Sequence, residues 1–401
     1  MPDANIPFAL PFIGDEEKEA ALRALGSGWL TTGKEAAAFE SEFAAFLGSP
    51  PAAPVRAFAV NSATSGLHLS LEACGAGPGD TVLLPSFTFA SDAEVVRYLG
   101  ADPVFIDIGP GTFHLDLGAL EAALDRLSRG LPAYPGGPAG RPAAVIPVHY
   151  GGLPCGMGPV LELARHYGAR VVEDAAHSFP SLLPDGNFAG TLGDAGVFSF
   201  YATKTITTGE GGMVVTRDPE IAARVKVMRL HGIDRDVWNR YTDRGASWYY
   251  EVVEPGYKYN LPDILAAIGR AQLKRAWELL AMRRAIAARY DEAFRDSPRV
   301  IIPPTGAADA RHLYPVRLRG GSPAIGRDAF IERLKEKGIG VSVHFIPLHI
   351  MPYYQKRYGL APEQFPESLR AFRELISLPI WPGMTDSQVE RVIGAVGSIG
   401  A

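Results

Sequence analysis

The stretch AAVIPVHYGGLPCGMGPVLELARHYGARVVED, residues 143–174, contains the pattern that decides the fold. Its apolar run at 143–148 predicts one strand, the segment 160–167 predicts a helix, and 170–174 predicts the next strand. A strand, a helix and a second strand in this order are the unit from which parallel sheets are built. The sequence therefore predicts an α/β protein with a mostly parallel sheet.

The same alternation extends to both sides of this unit. Short apolar runs predict further strands at 58–60, 81–85 and 103–107, with helical patterns between them. Two more apolar runs within 193–216 are interpreted as antiparallel additions to the sheet.

Beyond residue 261 the pattern changes. A long helical stretch runs through 294, and the strand and helix signals then restart, including an extended apolar segment at 341–345. We therefore predict two domains: an N-terminal segment with a large domain over 1–265, and a connector helix with a small α+β domain over 266–401.

Composition excludes several classes of function. The 401 residues contain 39 Lys+Arg and 44 Asp+Glu, a formal charge of −5, which disfavours nucleic-acid binding. The two cysteines, Cys74 and Cys155, stand in no metal-binding or disulfide pattern, so we expect no metal and a reducing compartment, the cytoplasm. The first residues lack the basic start of a signal peptide, and Gly and Pro interrupt every apolar stretch, so we expect no membrane span.

Glycine and proline are abundant, at 44 and 33 residues. Part of this excess falls in segment 130–142, which predicts a surface loop inserted between a helix and a strand. Much of the rest falls where predicted strands end, as at 209–212, where backbone can approach a ligand closely.

Two residues suggest the chemistry. Asp174 ends an apolar strand, where parallel sheets bind ligands, although an aspartate there also caps the following turn in many proteins. Lys204 follows another apolar run, and a lone lysine in such a place is often an ordinary surface residue. As a pair, they are typical of a pyridoxal phosphate site, where a lysine forms an imine and an aspartate holds the pyridinium nitrogen.

Such a site also needs a phosphate cradle, a ring over the cofactor and a partner for its phenolic oxygen. Small residues including Ala63 and Thr64 precede a helix and suit an anion, although they also suit an ordinary helix cap. Ser199 adds a hydroxyl. Phe89 is our choice for the stacking ring, though aromatic residues after a strand often belong to a core. His177 is placed beside the phenolic oxygen.

Seven motifs then carry a resemblance to a known family. They are residues 62–69 (SATSGLHL), 85–89 (PSFTF), 146–152 (IPVHYGG), 173–177 (EDAAH), 198–204 (FSFYATK), 210–212 (EGG) and 256–261 (GYKYNL). In this order, over about residues 8 to 398, the chain resembles the DegT/DnrJ/StrS family of sugar aminotransferases. The resemblance implies the fold-type-I, aspartate-aminotransferase-like architecture and a homodimer with shared active sites.

By position, the resemblance implies that Lys204 and Asp174 are catalytic. It implies that the cofactor, pyridoxal 5'-phosphate, is also held by the residues already chosen and by Asn260 acting in the partner's site. A dehydratase branch of the family has His in place of this lysine, so Lys204 indicates transaminase chemistry. L-glutamate would then donate the amino group and leave as 2-oxoglutarate, with pyridoxamine 5'-phosphate as the intermediate form.

The resemblance also indicates a class of substrate that receives the amino group. The motifs at 207–212 and 257–261 resemble enzymes that aminate C4 of nucleotide-linked 4-ketosugars, such as the branch making UDP-4-amino-4-deoxy-L-arabinose. The loop with Trp29 and Thr31, the segment 235–248, and His344 are the expected sugar-binding elements, though ordinary loop or interface packing would also account for each. The alternatives are a ketocyclitol or other non-nucleotide ketone, and a cofactor-binding regulator or idle homologue.

Overall fold

A computed structural model describes residues 5–48, 54–233, 249–320 and 326–399. Its larger sheet has seven strands in the order β1-β7-β6-β5-β4-β2-β3. The bounds are β1 (Arg56–Val60), β2 (Asp80–Pro85), β3 (Asp102–Ile106), β4 (Arg141–Val145), β5 (Arg170–Asp174), β6 (Ala195–Ser199) and β7 (Gly212–Thr216).

The prediction of antiparallel additions is half correct. β6 pairs parallel with β5, whereas β7 pairs antiparallel with both β6 and β1. Both strands are short, fully buried runs, so the sequence pattern alone does not separate a parallel from an antiparallel strand.

Helices cover both faces of this sheet, which explains why its strands are buried along nearly their whole length. Helix α3 (Ala63–Ala73) packs on the sheet. Gly66 lets it approach closely, since a Cβ there would lie 2.7 Å from Cγ1 of Val197. The helices before the second sheet are α1 (Asp15–Gly26), α2 (Lys34–Phe46), α3 (Ala63–Ala73), α4 (Ser91–Tyr98), α5 (Leu117–Ser128), α6 (Met157–His166), α7 (Pro219–Met228), α8 (Asp263–Lys274) and α9 (Ala276–Phe294).

A second sheet has three antiparallel strands in the order β10-β9-β8 and its own apolar core. Its elements are β8 (Val300–Ile301), β9 (Tyr314–Leu318), α10 (Arg327–Glu336), α11 (Pro352–Tyr358), α12 (Pro366–Glu374), β10 (Leu375–Leu378) and α13 (Asp386–Ser398). Ile6 bridges to Ile339 and packs into this core. The boundary at 265/266 stays a prediction.

Two further segments, and the search for a membrane span, bear on the sequence-based expectations. Segment 341–345 forms no strand; only Ser342 makes an isolated bridge, to Ser377. The loop preceding β4 is anchored by Tyr134, whose ring lies 5.8 Å from that of Phe365. No helix in the described part of the chain is both long and apolar enough to cross a membrane.

Candidate active site

A cavity of about 430 Å³ opens where β5 and β6 end and α3 begins. The carboxyl ends of parallel strands and the amino end of a helix are where α/β proteins bind anionic ligands. Eight of the predicted site residues line this cavity: Ala63, Thr64, Phe89, Asp174, His177, Ser199, Lys204 and His344. They come from five separate segments of the sequence, and the fold brings them together.

Lys204 follows β6 in a turn that is closed by a hydrogen bond from its own N–H to the carbonyl of Tyr201, at 2.9 Å. Burial lowers the pKa of Lys204 to about 8, and the positive charge of Arg283 contributes to the same shift. The carboxylate of Asp174 acts in the opposite direction. An amine with this pKa is neutral in a sizeable fraction of molecules near pH 8, as a nucleophile or base requires.

Asp174 ends β5 and is 7% exposed. The N–H of Ala176 donates to its Oδ1 at 2.9 Å, which orients the carboxyl toward the cavity side of the sheet. Burial raises the pKa of Asp174, while this N–H and the charge of Lys204 oppose the rise. The carboxylate would gain from a cationic ligand group, because such a group offsets the cost of burying a charge.

Three histidines border the same cavity: His177, His312 and His344. The N–H of Gly151 donates to Nδ1 of His177 at 3.2 Å, so the remaining ring proton is on Nε2 and the imidazole is neutral. Burial lowers the pKa of His177 and of His312 well below the ordinary value, and nearby Lys204 contributes. Burial likewise lowers the pKa of His344 to about 4.

His312 was not predicted from the sequence. Its ring centroid lies 4.5 Å from that of His177, and its Nδ1 is buried without a hydrogen-bond partner among the described residues. The residue stands in an irregular segment just before β9, where a single histidine carries no local signal.

The first turn of α3 lies where the sequence predicts a cradle for the phosphate. Ser62 caps the helix by accepting from the N–H of Ser65 at 3.1 Å, while Ala63 and Thr64 face the cavity. Gly212 allows β7 to pass under this turn, since a Cβ there would lie 2.8 Å from the backbone nitrogen of Ala63. Helix amides with neighbouring hydroxyls suit a phosphate. With the lysine and the carboxylate opposite, the donor set fits pyridoxal phosphate.

The mouth of the cavity carries exposed aromatic side chains. Phe89 is 57% exposed and Tyr201 is 48% exposed, although both line the cavity. The ring of Phe89 lies 5.8 Å from that of Phe345. Large aromatic faces left open beside a polar cavity are typical of surfaces that a ligand or another chain covers.

Three predicted residues lie outside this cavity. Trp29 donates from Nε1 to the carbonyl of Thr32 at 3.3 Å, and Asn260 donates to the hydroxyl of Thr32 at 2.5 Å. Thr31 lies between Trp29 and Thr32 in the loop that joins α1 and α2. The structure thus groups Trp29, Thr31 and Asn260 with one another and not with Lys204. The predicted segment 235–248 lies outside the described residues.

Comparison with known proteins identifies the family. The model of the DegT/DnrJ/EryC1/StrS aminotransferase family matches residues 11–397. The chain is 43% identical, over 98% of its length and 97% of the relative's, to the spore coat polysaccharide biosynthesis protein SpsC of Bacillus subtilis.

Two solved structures extend the likeness. The sugar aminotransferase Spr1654 of Streptococcus pneumoniae, in its PMP form, has a TM-score of 0.86 at 29% identity, covering 99% of this chain and 98% of that one. It has also been solved in a PLP form. Helicobacter pylori PseC, an aminotransferase involved in the biosynthesis of pseudoaminic acid, has a TM-score of 0.84 at 27% identity, with 98% of each chain covered.

The sheet order and the likeness to solved sugar aminotransferases define a fold-type-I, pyridoxal phosphate-dependent enzyme. The chain belongs to the DegT/DnrJ/EryC1/StrS aminotransferase family. The predicted family, the fold class and the prediction of a pyridoxal phosphate-dependent sugar aminotransferase are confirmed.

Proposed function

We propose that this protein transfers an amino group from L-glutamate to the C4 keto carbon of a nucleotide-linked ketosugar. The observation that carries the proposal is the cavity in which a lysine of lowered pKa, an aspartate and a helix amino end converge, in a chain of this family. The sequence motifs at 207–212 and 257–261 favour C4 as the position. The polysaccharide and sugar pathways of its relatives favour a nucleotide-linked acceptor.

The residues of the cavity divide the task of holding the cofactor. Ala63, Thr64 and Ser199 would hold the phosphate, because they combine the amides of a helix start with hydroxyl groups. Asp174 would hold the protonated pyridine nitrogen, which relieves the cost of its own burial. Phe89 would cover one face of the ring.

Pyridoxal phosphate, when bound, supplies an electron sink that stabilises negative charge at the carbon bearing the amino group. Nζ of Lys204 takes the proton that leaves this carbon of the donor, and returns a proton when the acceptor is aminated. Both transfers need an amine that is neutral at one moment and charged at the next. A pKa of about 8 suits that exchange near neutral pH.

The histidines have a different part in the site. His177 presents its Nε2–H to the cavity and would donate it to the phenolic oxygen of the cofactor. His344, whose Nδ1 lies 2.9 Å from the hydroxyl of Ser377, would face the sugar from the side of the second sheet. Because these rings are neutral, they offer hydrogen bonds without adding positive charge that would further lower the pKa of Lys204.

We further propose a homodimer with shared sites, in the cytoplasm. Trp29, Thr31 and Asn260 lie away from the cavity of their own chain, and the aromatic mouth with Phe89 is open. A second copy would cover that mouth and bring Asn260 to the phosphate of its partner's cofactor, with Trp29 and Thr31 near the sugar. The free thiols of Cys74 and Cys155 suit a reducing compartment.

The decisive experiment supplies the protein, loaded with pyridoxal phosphate, with L-glutamate and a panel of UDP-, dTDP- and GDP-linked 4-ketosugars. We expect 2-oxoglutarate to form with one nucleotide series and NMR of the product to place the new amine on C4. A scyllo-inosose-type ketone is the competing acceptor, and preference for it would overturn the nucleotide-sugar proposal. An absorption spectrum that does not respond to glutamate would favour the idle homologue.

The matched control is Lys204→Ala. We expect it to bind the cofactor non-covalently and to produce no 2-oxoglutarate. Full turnover in this variant would contradict the role of Lys204 in the proposed mechanism.

A further inference from the structure

Behind the cavity, a second buried carboxyl faces Asp174. Asp92 is the second residue of α4, close after the segment that carries Phe89, and it is 0% exposed. Its Oδ2 accepts a hydrogen bond from the hydroxyl of Thr88. Its Oδ1 is buried and finds no donor among the described residues. Thr88 and Ser91, which flank Asp92, line the same cavity as Asp174, and the carboxyl of Asp174 is near enough to interact with that of Asp92.

Two facing carboxyls away from water do not both ionise, because each charge is desolvated and repelled by the other. Burial, followed by the charge of Asp174, raises the pKa of Asp92 well above its ordinary value. Asp174 instead has groups that favour its ionised form, namely the N–H of Ala176 and the charges of Lys204 and His149. The single proton of the pair therefore belongs on Asp92.

With the proton on Asp92, every oxygen of the pair has a hydrogen-bond partner. Neutral Asp92 carries its proton on Oδ1 and donates it to Asp174, while Oδ2 still accepts from Thr88. Asp174 then receives two donors, one from Ala176 and one from Asp92. A carboxylate held by two donors is fixed in orientation and remains ionised more readily than its burial alone would allow.

We propose that Asp92 is a positioning residue that, as a neutral acid, donates a hydrogen bond to Asp174 and thereby fixes this carboxylate for the cofactor's pyridine nitrogen. The inference rests on the proposed cofactor site and goes beyond it, because Asp92 is not among the residues that line the cavity. Through Asp92, the loop around Thr88 and the start of α4 stabilise the charge on β5.

Two substitutions separate hydrogen bonding from packing. Asp92→Asn keeps both functions, since its amide N–H donates to Asp174 and its carbonyl accepts from Thr88. Asp92→Leu keeps the number and branching of the side chain's heavy atoms and removes both hydrogen bonds. We expect Asp92→Asn to bind pyridoxal phosphate like the wild type and to show the same absorption spectrum and pH titration.

For Asp92→Leu we expect about tenfold weaker binding of the cofactor, the loss of one hydrogen bond to a charged group. We also expect a displaced spectral titration of the bound cofactor, which a merely structural role would leave unmoved. Urea unfolding of the cofactor-free variants shows whether each one folds. If Asp92→Asn behaves like Asp92→Leu, or if Asp92→Leu matches the wild type, the inference is overturned.

A second measurement does not depend on the cofactor. Infrared spectroscopy of the cofactor-free protein at neutral pH should show the carbonyl stretch of a protonated carboxyl that disappears in Asp92→Asn. Absence of this band in the wild type overturns the inference even if Asp92→Leu does not fold. Failure of the wild type to bind pyridoxal phosphate, with the band present, would instead count against the proposed function.

Discussion

The guanidinium of Arg283 donates a hydrogen bond to the carbonyl oxygen of Thr203, 3.1 Å away, immediately before Lys204 in the chain. Arg283 is 1% exposed, and its other hydrogen bonds go to the carbonyls of His312 and Ile380, at 3.2 and 3.0 Å. All three acceptors are neutral backbone groups, so no carboxylate among them offsets the buried charge. The positive charge of Arg283 therefore disfavours the protonated form of Lys204 and lowers its pKa.

Replacing Arg283 by Met should therefore raise the pKa of Lys204 above about 8, because a cause of its lowering is removed. Arg283→Lys keeps a positive charge and should leave the pKa nearly unchanged. The measurement is the pH dependence of Lys204 labelling by an amine-reactive reagent in the cofactor-free protein, followed by mass spectrometry. An unchanged midpoint in Arg283→Met would show that the charge of Arg283 does not lower the pKa of Lys204.

The lowered pKa of Lys204 also predicts how stability depends on pH. The folded protein holds the Lys204 proton less tightly than the unfolded chain, so this residue destabilises the folded state below about pH 8. Its penalty is relieved as the pH rises from about 8 toward the ordinary pKa of lysine. In Lys204→Met, the free energy of unfolding of the cofactor-free protein should be higher at pH 7 and should lack this rise.

Urea unfolding at several pH values between 7 and 10 tests this expectation, with exposed Lys335→Met as the control for removing a lysine. A pH dependence that is the same in wild type and Lys204→Met would contradict the buried, charge-destabilised lysine. Because the cofactor is absent, the result is independent of transaminase activity.

Much of the site was predictable from the sequence because its residues follow local signals. Asp174 and Ser199 end apolar strands, and Thr64 starts a helix, so the fold class alone places them on one edge of the sheet. Their neighbours Lys204 and His177 follow those strands closely. Such residues are found by combining a strand pattern with a chemical requirement.

The supporting residues could not be predicted in the same way. Asp92 and Arg283 lie inside helices, where a charged residue usually faces solvent, and their burial depends on packing between distant segments. His312 meets His177 only because the second sheet lies beside the cavity. Their roles come from tertiary contacts, for which a single sequence contains no periodic signal.

The close passage of β7 under α3 makes Gly212 sensitive to substitution. In Gly212→Ala the new methyl would lie 2.8 Å from backbone atoms of Ser62 and Ala63, and backbone yields less readily than a flexible side chain. We expect a loss of about 1–3 kcal/mol in the free energy of unfolding, the usual cost of overpacking. Displacing the first turn of α3 should also weaken binding of the cofactor's phosphate.

Gly26→Ala is the matched control, since a Cβ at this helix end meets nothing within 4 Å. Its stability should equal or slightly exceed that of the wild type, because alanine favours the helical backbone. Equal cofactor affinity in Gly212→Ala and wild type would show that this turn of α3 is not the phosphate cradle.

The proposed sharing of sites between two copies can be tested by mixing two inactive variants. Lys204→Ala lacks the reactive amine, and Asn260→Ala lacks the amide that we assign to the partner's phosphate. In a mixed dimer, one site combines the intact Lys204 of one copy with the intact Asn260 of the other. After unfolding and refolding an equal mixture, about half of the dimers are mixed, so about a quarter of wild-type activity should return.

If Asn260 instead acts within its own chain, both sites of every mixed dimer lack one group and activity does not return. Refolding each variant alone is the control, and size-exclusion chromatography of the mixture confirms that dimers have formed.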